Sequence, residues 1–183
     1  MPHDTELWQA YAPNGEPIKG VGHPGPYYLE TLPPKAICGT SSVWLYRDAP
    51  TGRELLFQKR SATVRANPNK WSVSVSGHIN LGESSLAAAV REVKEELDVD
   101  IAPDGLKLAF SYFNQEVHAF NWTYLYDLTG DKNAFHFADH EVSKIRWVPL
   151  SQVSDFAAKN VIHGLTAMKW YWDLLLNYRL KFL

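Results

Sequence analysis

An α/β domain built on a mixed β-sheet is the fold that the sequence predicts, on the basis of three observations. Segments with the β-branched or alternating composition of strands outnumber the segments with helical spacing. Only two long stretches have helical spacing, so the regular alternation of strands and helices that makes a purely parallel sheet is missing. The chain has 183 residues, which suits one domain of ordinary size. We therefore expect a single domain overall.

We expect residues 1–34 to form a β-rich N-terminal extension and residues 35–183 to form the main domain with a C-terminal helix. Proline and glycine are frequent in the extension. Between Trp8 and Pro17, the pair Asn14-Gly15 separates two short apolar stretches, a pattern that is typical of a β-hairpin turn.

Further segments have the composition of strands. Turn residues from Asp48 to Gly52 separate the first two of them. Residues 71–76 alternate strictly between apolar and polar, which predicts one half-buried strand. The predicted strands are residues 35–47, 54–60, 71–76, 106–112, 117–128 and 144–148.

Two helices are predicted from apolar residues at helical spacing. The first runs from about Ser85 to Leu97, with Ser84 or Ser85 as its N-cap. The second covers about residues 165–180, and a further helix start follows the strand that ends near Val148. The apolar residues of the last helix are Leu165, Met168, Trp172, Leu175 and Leu176.

Composition excludes several classes of function. Basic and acidic residues number 18 and 20 and the pI is near 6.4, so the charge pattern of a protein that binds nucleic-acid polymers or anionic membranes is absent. Cys38 is the single cysteine, which rules out an internal disulfide and a cysteine zinc cluster. No stretch has the length of a membrane span, and residues 1–8 lack the layout of a secretion signal. We therefore expect a cytoplasmic protein.

Three glutamates on the first predicted helix are spaced i, i+3 and i+4, so they share an arc of about 100°. That arc lies opposite the apolar residues, so we expect one side of the helix to pack and the other to gather negative charge. Crowded carboxylates need a counter-charge, and hard cations such as Mg²⁺ or Mn²⁺ prefer oxygen donors. The glutamates are Glu92, Glu95 and Glu96, and the apolar residues are Leu86, Ala89, Val90, Val93 and Leu97.

The spacing around these glutamates is more specific than an acidic helix face, which is the usual interpretation of a bare E-x-x-E-E run. Gly77, Glu83 and Arg91 precede the glutamates at set distances, and Val93 and Val99 supply two apolar positions, a combination expected in about one in 10⁷ windows. The pattern resembles the Nudix box, G-x5-E-x7-R-E-U-x-E-E-x-G-U with U apolar. Asp98 replaces the second glycine of the box. Because Asp tolerates positive φ better than most residues, we expect a helix end of slightly higher energy and an unharmed metal site.

The resemblance to the Nudix family implies an α/β/α sandwich with a mixed sheet. It also implies a metal-dependent hydrolase that directs water at a small-molecule diphosphate bonded to a group X, commonly a nucleoside diphosphate derivative, with Mg²⁺ or Mn²⁺ as cofactor. Arg91 lies beside the acidic arc, where its guanidinium can organise the carboxylates by paired hydrogen bonds. The implied metal ligands are Glu92, Glu95 and Glu96, with Glu83 bound through water or to a further ion, and the carbonyl of Ser76 or Gly77.

The general base is not fixed by the resemblance. Glu92 serves in some relatives and a loop acid in others, so Glu116, Asp139 and Glu141 are also candidates, with a surface charge as the alternative interpretation of each.

A second resemblance, over about residues 6–155, is to the Nudix branch that includes isopentenyl-diphosphate isomerase. It rests on the early segment from Trp8 to Pro17, on the run from Leu55 to Ser61, and on a tryptophan ahead of the box. In that branch, basic residues before the box contact phosphate. The implied substrate-binding candidates are Arg60, Arg65, Lys70 and, beside the box, His78.

Isomerisation itself needs a cysteine just before the box and a glutamate on a later strand. The corresponding segments, residues 75–78 and 120–124, contain neither, and Cys38 lies on an earlier strand, where we expect a small buried hydrophobe. We therefore expect hydrolysis. An isomerase and an inactive Nudix-fold binding module are the alternatives, and the complete set of box carboxylates favours an enzyme over the module.

Aromatic residues leave the group X and the oligomeric state open. Trp44, Trp71 or Trp122 could stack a base, although we expect each of them in the core. The run Trp170-Tyr171-Trp172 offers an apolar patch for a possible homodimer.

Overall fold

The computed structural model describes residues 7–24, 36–115, 118–132, 134–137, 140–161 and 168–180, with the backbone alone at 20–24 and 178–179. Within these residues, nine strands join in one sheet. The strands are β1 (Leu7–Tyr11), β2 (Pro17–Pro24), β3 (Ile37–Ala49), β4 (Gly52–Arg60), β5 (Trp71–Ser72), β6 (Val75–His78), β7 (Lys107–Asn114), β8 (Ala119–Asp127) and β9 (Val142–Pro149). The helices are α1 (Ser85–Leu97), α2 (Leu150–Asn160) and α3 (Lys169–Asp173), which continues as a π-helix at Leu174–Arg179.

Strand β3 is the centre of the sheet. It pairs antiparallel with β1, β4 and β6, and parallel with β8, from Cys38 opposite Ala119 to Tyr46 opposite Asp127. Strands β7 and β9 extend the sheet antiparallel to β8 and β4. The predicted mixed sheet is confirmed.

Alternate side chains of β3 enter two different cores. Val43 and Leu45 pack on one face of the sheet against α1, whereas Trp44 and Tyr46 face the other side. There they meet α2 and the C-terminal helix, which contribute Val153, Phe156, Ala157, Tyr171, Trp172 and Leu175. Helices therefore cover both faces of one sheet, and the expected α/β/α sandwich is confirmed.

The N-terminal hairpin belongs to the same sheet. Strands β1 and β2 pair antiparallel, and Gly15 has a φ of 85° in the turn between them, as the Asn14-Gly15 pattern indicates. The backbone of Ala12 accepts a hydrogen bond from Gly15 N at 2.9 Å and donates one to Glu16 O at 2.8 Å. Strand β1 then continues the sheet beside β3.

The prediction of a single strand at residues 71–76 is wrong, because the chain forms two short strands there with different neighbours. β5 pairs with β4 and β6 pairs with β3. At the break between them, Ser74 Oγ donates to Leu56 O at 2.6 Å and accepts from Leu45 N at 2.9 Å. The serine is fully buried, so its polar character reports a structural hydrogen-bonding task and not a solvent-facing position.

The observed ends of α1 agree with the predicted ends, whereas the C-terminal helix differs from its prediction. Ser84 caps α1 by accepting from Ala87 N, and Asp98 ends it in the left-handed conformation with a φ of 56°. The last helix is α-helical only to Asp173 and then widens to a π-helix, so a continuous α-helix over 165–180 is wrong. Its predicted start at Leu165 lies outside the described residues.

Removing the Ser74 hydroxyl should destabilise the fold. Ser74→Ala leaves Leu45 N and Leu56 O buried without their partner, so we expect the free energy of unfolding to fall by about 1–3 kcal/mol. Urea denaturation monitored by tryptophan fluorescence measures the change. Ser143→Ala is the matched control, because Ser143 Oγ also donates to a backbone carbonyl, that of Lys59, but at an exposed position. Equal effects of the two variants would contradict the role of Ser74.

Candidate active site

Two of the three helix glutamates lie on the packed face of α1. The exposed fraction is 9% for Glu92 and 2% for Glu96, whereas Leu86 is 36% exposed. The predicted separation of an acidic face from an apolar face is therefore wrong for these two. The sheet beneath α1 explains the difference, because it offers Glu92 a glycine backbone and Glu96 a side-chain amide.

Arg91 gathers the other acids around its guanidinium. Its Nε and Nη2 donate to the two carboxylate oxygens of Glu83, each at 3.0 Å, and its Nη1 donates to Glu92 at 2.7 Å and to Glu95 at 2.9 Å. Nη2 also donates to the carbonyl of His78 at 2.8 Å. One fixed cation thus orients three carboxylates and the loop before the helix.

Glu83 is held from a second direction by the turn that leads into α1. Its Oε2 accepts from Asn80 N at 2.9 Å, and its own N donates to Asn80 O at 2.9 Å. These two hydrogen bonds fix the Glu83 carboxylate relative to the turn, in addition to the bonds from Arg91.

The N-terminal hairpin lies along the same turn. Gln9 N donates to Ile79 O at 2.8 Å, Leu81 N donates to Leu7 O at 2.7 Å, and Gly82 N donates to Gln9 Oε1 at 3.2 Å. The Trp8 indole stacks on the His78 imidazole with ring centroids 3.4 Å apart. The sequence places the hairpin far from the box, and no spacing in it signals these contacts.

Glu92 requires a glycine beneath it. A Cβ added at Gly77 would lie 2.0 Å from the carboxyl carbon of Glu92, so only glycine leaves room for the acid. Burial raises the pKa of Glu92 to about 7 against the opposing effect of Arg91, and the charges of Glu95 and Glu141 add to the rise. Glu92 therefore holds a proton in a pH range in which an ordinary glutamate has lost it.

Glu96 is held by Gln58, a residue that sequence reasoning missed. Gln58 Nε2 donates to Glu96 Oε2 at 2.8 Å, and the exposed fraction of Gln58 is 2%. The available signal is a polar residue directly after the buried run Leu55-Leu56-Phe57 on β4.

The oxygen donors suit a hard divalent cation, although Arg91 holds several of them. Glu92 is buried, and the charges of Glu95 and Glu141 act on it. Clustered carboxylate oxygens of this kind are the donors that Mg²⁺ and Mn²⁺ favour. In the part of the chain that the structure describes, no three His, Cys, Asp or Glu side chains are arranged to hold a metal ion. A cation would compete with Arg91 for Glu92 and Glu95.

The two residues whose carbonyls are candidate ligands have different neighbours. Gly77 lies against Glu92. The Ser76 hydroxyl instead hydrogen-bonds Ser42 Oγ at 3.0 Å. The carbonyl of Ser76 or Gly77 stays the predicted backbone ligand.

The predicted phosphate contacts occupy different surroundings. Arg60 Nε donates to Ala66 O at 2.9 Å within the loop after β4, and Arg65 and Lys70 are exposed on that loop. His78 is half-buried on β6, with its ring against Trp8 and its carbonyl on Arg91. His78 contacts the Arg91 cluster directly, through its carbonyl.

The segments that would carry isomerase chemistry form a neutral hydrogen-bonded network. Asn121 Nδ2 donates to Thr40 Oγ1 at 2.8 Å and to Ser42 Oγ at 3.0 Å, and Ser42 in turn bonds Ser76. Cys38 is 1% exposed, and burial raises the pKa of its thiol to about 12, so the expectation of a small buried hydrophobe is confirmed.

Of the three candidate loop acids, Glu141 alone lies within the described residues, and it affects the pKa of Glu92. It directly precedes β9, and its charge contributes to the raised pKa of Glu92. Glu116 and Asp139 lie outside the described residues.

The aromatic residues are mostly packed, as expected. Trp44 is fully buried, and Trp71 and Trp122 are half-buried against Phe156 and against Tyr11 and Phe120. The proposed apolar patch at residues 170–172 needs correction. Trp170 is 46% exposed, but Tyr171 and Trp172 are in the core, because the helix turns them toward the sheet.

Comparison with known proteins agrees with this geometry. A family model described as the NUDIX domain matches residues 40–170, which include the turn, the glutamates and Arg91. The chain belongs to the Nudix family. The resemblance seen in the box is therefore confirmed, and with it the membership of a family of hydrolases that generally use divalent cations.

Two relatives and one solved structure illustrate the family range. The Nudix chain is 32% identical over 127 residues to Nudix hydrolase 3 of Arabidopsis thaliana, covering 64% of this chain and 16% of that protein. It is 29% identical over 132 residues to the isopentenyl-diphosphate Delta-isomerase of Shigella boydii, covering 70% of this chain and 66% of the isomerase. The crystal structure of DR0079 from Deinococcus radiodurans matches with a TM-score of 0.69 at 20% identity, over 95% of this chain and 100% of that one. The last likeness concerns the fold alone.

Membrane insertion through a helix finds no support in the described residues, because none of their helices combines the length and apolar character that a bilayer crossing needs.

In the absence of a divalent cation, the stability of this Nudix protein should fall as the pH rises from about 5 to 8. The pKa of Glu92 is about 7 in the folded protein against an ordinary value of 4.5, so between these values the folded state keeps a proton that the unfolded chain has released. The free energy of unfolding should drop by roughly 1–3 kcal/mol over this range. Urea denaturation in EDTA measures it. Glu92→Gln should flatten the difference, and parallel pH profiles would contradict the assignment.

Replacement of Arg91 should weaken the fold and the site together. Arg91→Ala leaves Glu83, Glu92 and Glu95 without their shared cation, so the free energy of unfolding should fall by about 2–4 kcal/mol. Arg91→Lys should recover little of it, because one ammonium cannot reach five acceptors. Lys94→Ala, which breaks two exposed ion pairs at the end of the same helix, is the control and should change little. An unchanged melting temperature in Arg91→Ala would argue against an organising role.

Proposed function

We propose that the protein is a metal-dependent hydrolase that cleaves a diphosphate linked to another group, by attack of water on phosphorus. The observation that carries the proposal is the pair of buried acids, Glu92 and Glu96, held on the packed face of α1. A folded domain tolerates buried carboxylates when they have partners or a bound ion, and hydrolysis of a diphosphate is the chemistry for which such a cluster is suited.

Glu92, Glu95 and Glu96 would hold Mg²⁺ or Mn²⁺, with the carbonyl of Ser76 or Gly77 as a further ligand and Glu83 bound through water or to a further ion. When bound, such an ion neutralises phosphate charge and lowers the pKa of a coordinated water. The protein's own side chains and backbone orient the acids. Arg91 fixes the direction of Glu83 and Glu95, and the turn at Asn80 fixes Glu83 again.

Two described carboxylates are candidates for the general base. Glu92 has a pKa near 7, which matches the working range of a proton acceptor at neutral pH. Glu141 lies close enough to shift that pKa and directly precedes β9, the strand next to β4. Glu116 and Asp139 keep their place as loop candidates.

The substrate that the proposal favours is a small nucleoside diphosphate derivative. Its phosphates would meet Arg60 at the end of β4, Arg65 and Lys70 on the loop that follows, and His78 at the start of the box turn. The net charge of −2 gives no general attraction for polyanions, so recognition would be confined to these local groups. A homodimer stays a possible assembly, with Trp170 as the exposed aromatic residue.

An isomerase acting on isopentenyl diphosphate is the second candidate, favoured by the likeness to the Shigella boydii isomerase. Two residues argue against the isomerase, Ser76 and Asn121. Both hydrogen-bond to Ser42, and neither provides an ionisable acid or base near neutral pH. Proton addition and removal at carbon requires one of each. Hydrolysis is therefore the better supported of the two reactions.

Labelled water distinguishes the two reactions. Incubation with Mg²⁺ in ¹⁸O-water, across nucleotide sugars, NADH, dinucleoside polyphosphates, coenzyme A, oxidised dNTPs and prenyl diphosphates, should place label in a released phosphate. Phosphorus NMR then shows which phosphate was attacked. Formation of dimethylallyl diphosphate without labelled phosphate from any substrate would overturn hydrolysis and support the isomerase, with His78 as the first substitute acid to test.

Loss of one carboxylate charge from the acidic cluster should strongly reduce metal binding and turnover. Glu96→Gln should weaken Mn²⁺ binding and lower turnover by about 10²-fold or more, because it removes a carboxylate that would contact the ion. Calorimetric titration and steady-state kinetics measure the two effects. Glu54→Gln is a matched control on β4, since Glu54 pairs with Arg47 away from the cluster. Unchanged metal affinity in Glu96→Gln would exclude it as a ligand.

A further inference from the structure

Gln58 is a polar side chain in an apolar layer. It follows Phe57 on β4 and lies on the same side of that strand as Leu56, which packs in the core beneath α1. Its exposed fraction is 2%, and its Nε2 donates to Glu96 Oε2 at 2.8 Å. A leucine would fit such a core position better unless the amide performs a task that an apolar side chain cannot.

The charge distribution around the cluster suggests that task. All five N–H groups of Arg91 are used on Glu83, Glu92, Glu95 and the His78 carbonyl, as the five hydrogen bonds of its guanidinium show. Arg91 therefore has no N–H left for Glu96. A neutral amide donor can fix the direction of the Glu96 carboxylate while leaving its negative charge available to a cation.

The second amide atom of Gln58 has a different environment. Gln58 Oε1 is buried and has no hydrogen-bond partner within the described residues. This oxygen is bonded to the same carbon as Nε2, so it belongs to the amide group whose nitrogen donates to Glu96. A buried acceptor beside a carboxylate calls for a donor, and a water that arrives in the hydration shell of a cation would supply one.

We propose that Gln58 is a positioning residue of the metal site, whose Nε2 orients Glu96 toward the cation and whose Oε1 accepts from a water that enters with it. This inference rests on the proposed function. It differs from it in concerning a residue outside the box, on a strand that only the tertiary structure brings to α1.

The test is a double-mutant cycle on Mn²⁺ affinity, measured by calorimetry on the metal-free full chain. Gln58→Met keeps the approximate volume and removes both amide atoms, and it should weaken binding by about 10- to 100-fold. Combined with Glu96→Gln, it should add little further loss, because Gln58 acts through Glu96. Ser72→Ala, at the position of β5 paired with Gln58, is the control and should leave the affinity unchanged.

Unchanged Mn²⁺ affinity in Gln58→Met, or losses that add in the double variant, would overturn the positioning role. Wild-type NMR gives a second measurement if Gln58→Met does not fold. The side-chain amide resonances of Gln58 should shift during Mg²⁺ titration with the same midpoint as the calorimetric binding, and resonances that stay constant to saturation would also overturn it. A wild-type chain that binds no divalent ion would overturn the proposed function together with this inference, whereas normal wild-type binding with an indifferent Gln58 overturns this inference alone.

Discussion

The guanidinium of Arg91 is the interaction on which the arrangement of the site depends. It brings Glu83, Glu92 and Glu95 to one point and ties them to the carbonyl of His78, so it links a helix, a turn and the end of a strand. Without the guanidinium between them, the three carboxylates would repel one another. Their concentration on one cation explains how the protein keeps a strongly acidic cluster in a folded state before any metal binds.

The cluster is anchored in the core and not on a solvated helix face. Glu92 lies over the bare backbone of Gly77, and Glu96 lies on the amide of Gln58, so each buried acid has its own specific support from the sheet. Burial then raises the pKa of Glu92 to about 7. The same packing that stabilises α1 against the sheet thus shifts the protonation of one of its acids toward neutral pH.

The N-terminal hairpin takes part in this support. Gln9 joins β1 to the turn at Ile79 and Gly82, and that turn positions Glu83. A continuous set of hydrogen bonds therefore runs from the first described strand to the acids on α1. An extension that looks separate from the box in the chain is a structural neighbour of it in the fold.

The sequence by itself determined most of the strands, α1, the position of the acids along that helix and the family, because hydrophobic period and box spacing are local properties of the chain. Asp98 shows how far local reasoning reaches, since its left-handed φ of 56° follows from the glycine it replaces. Only the tertiary structure decided that Glu92 and Glu96 face the core, that Ser74 bridges two strands and that Gln58 meets α1. Each of these depends on which distant strand lies opposite, and helical or strand periodicity carries no information about partners far away in the chain.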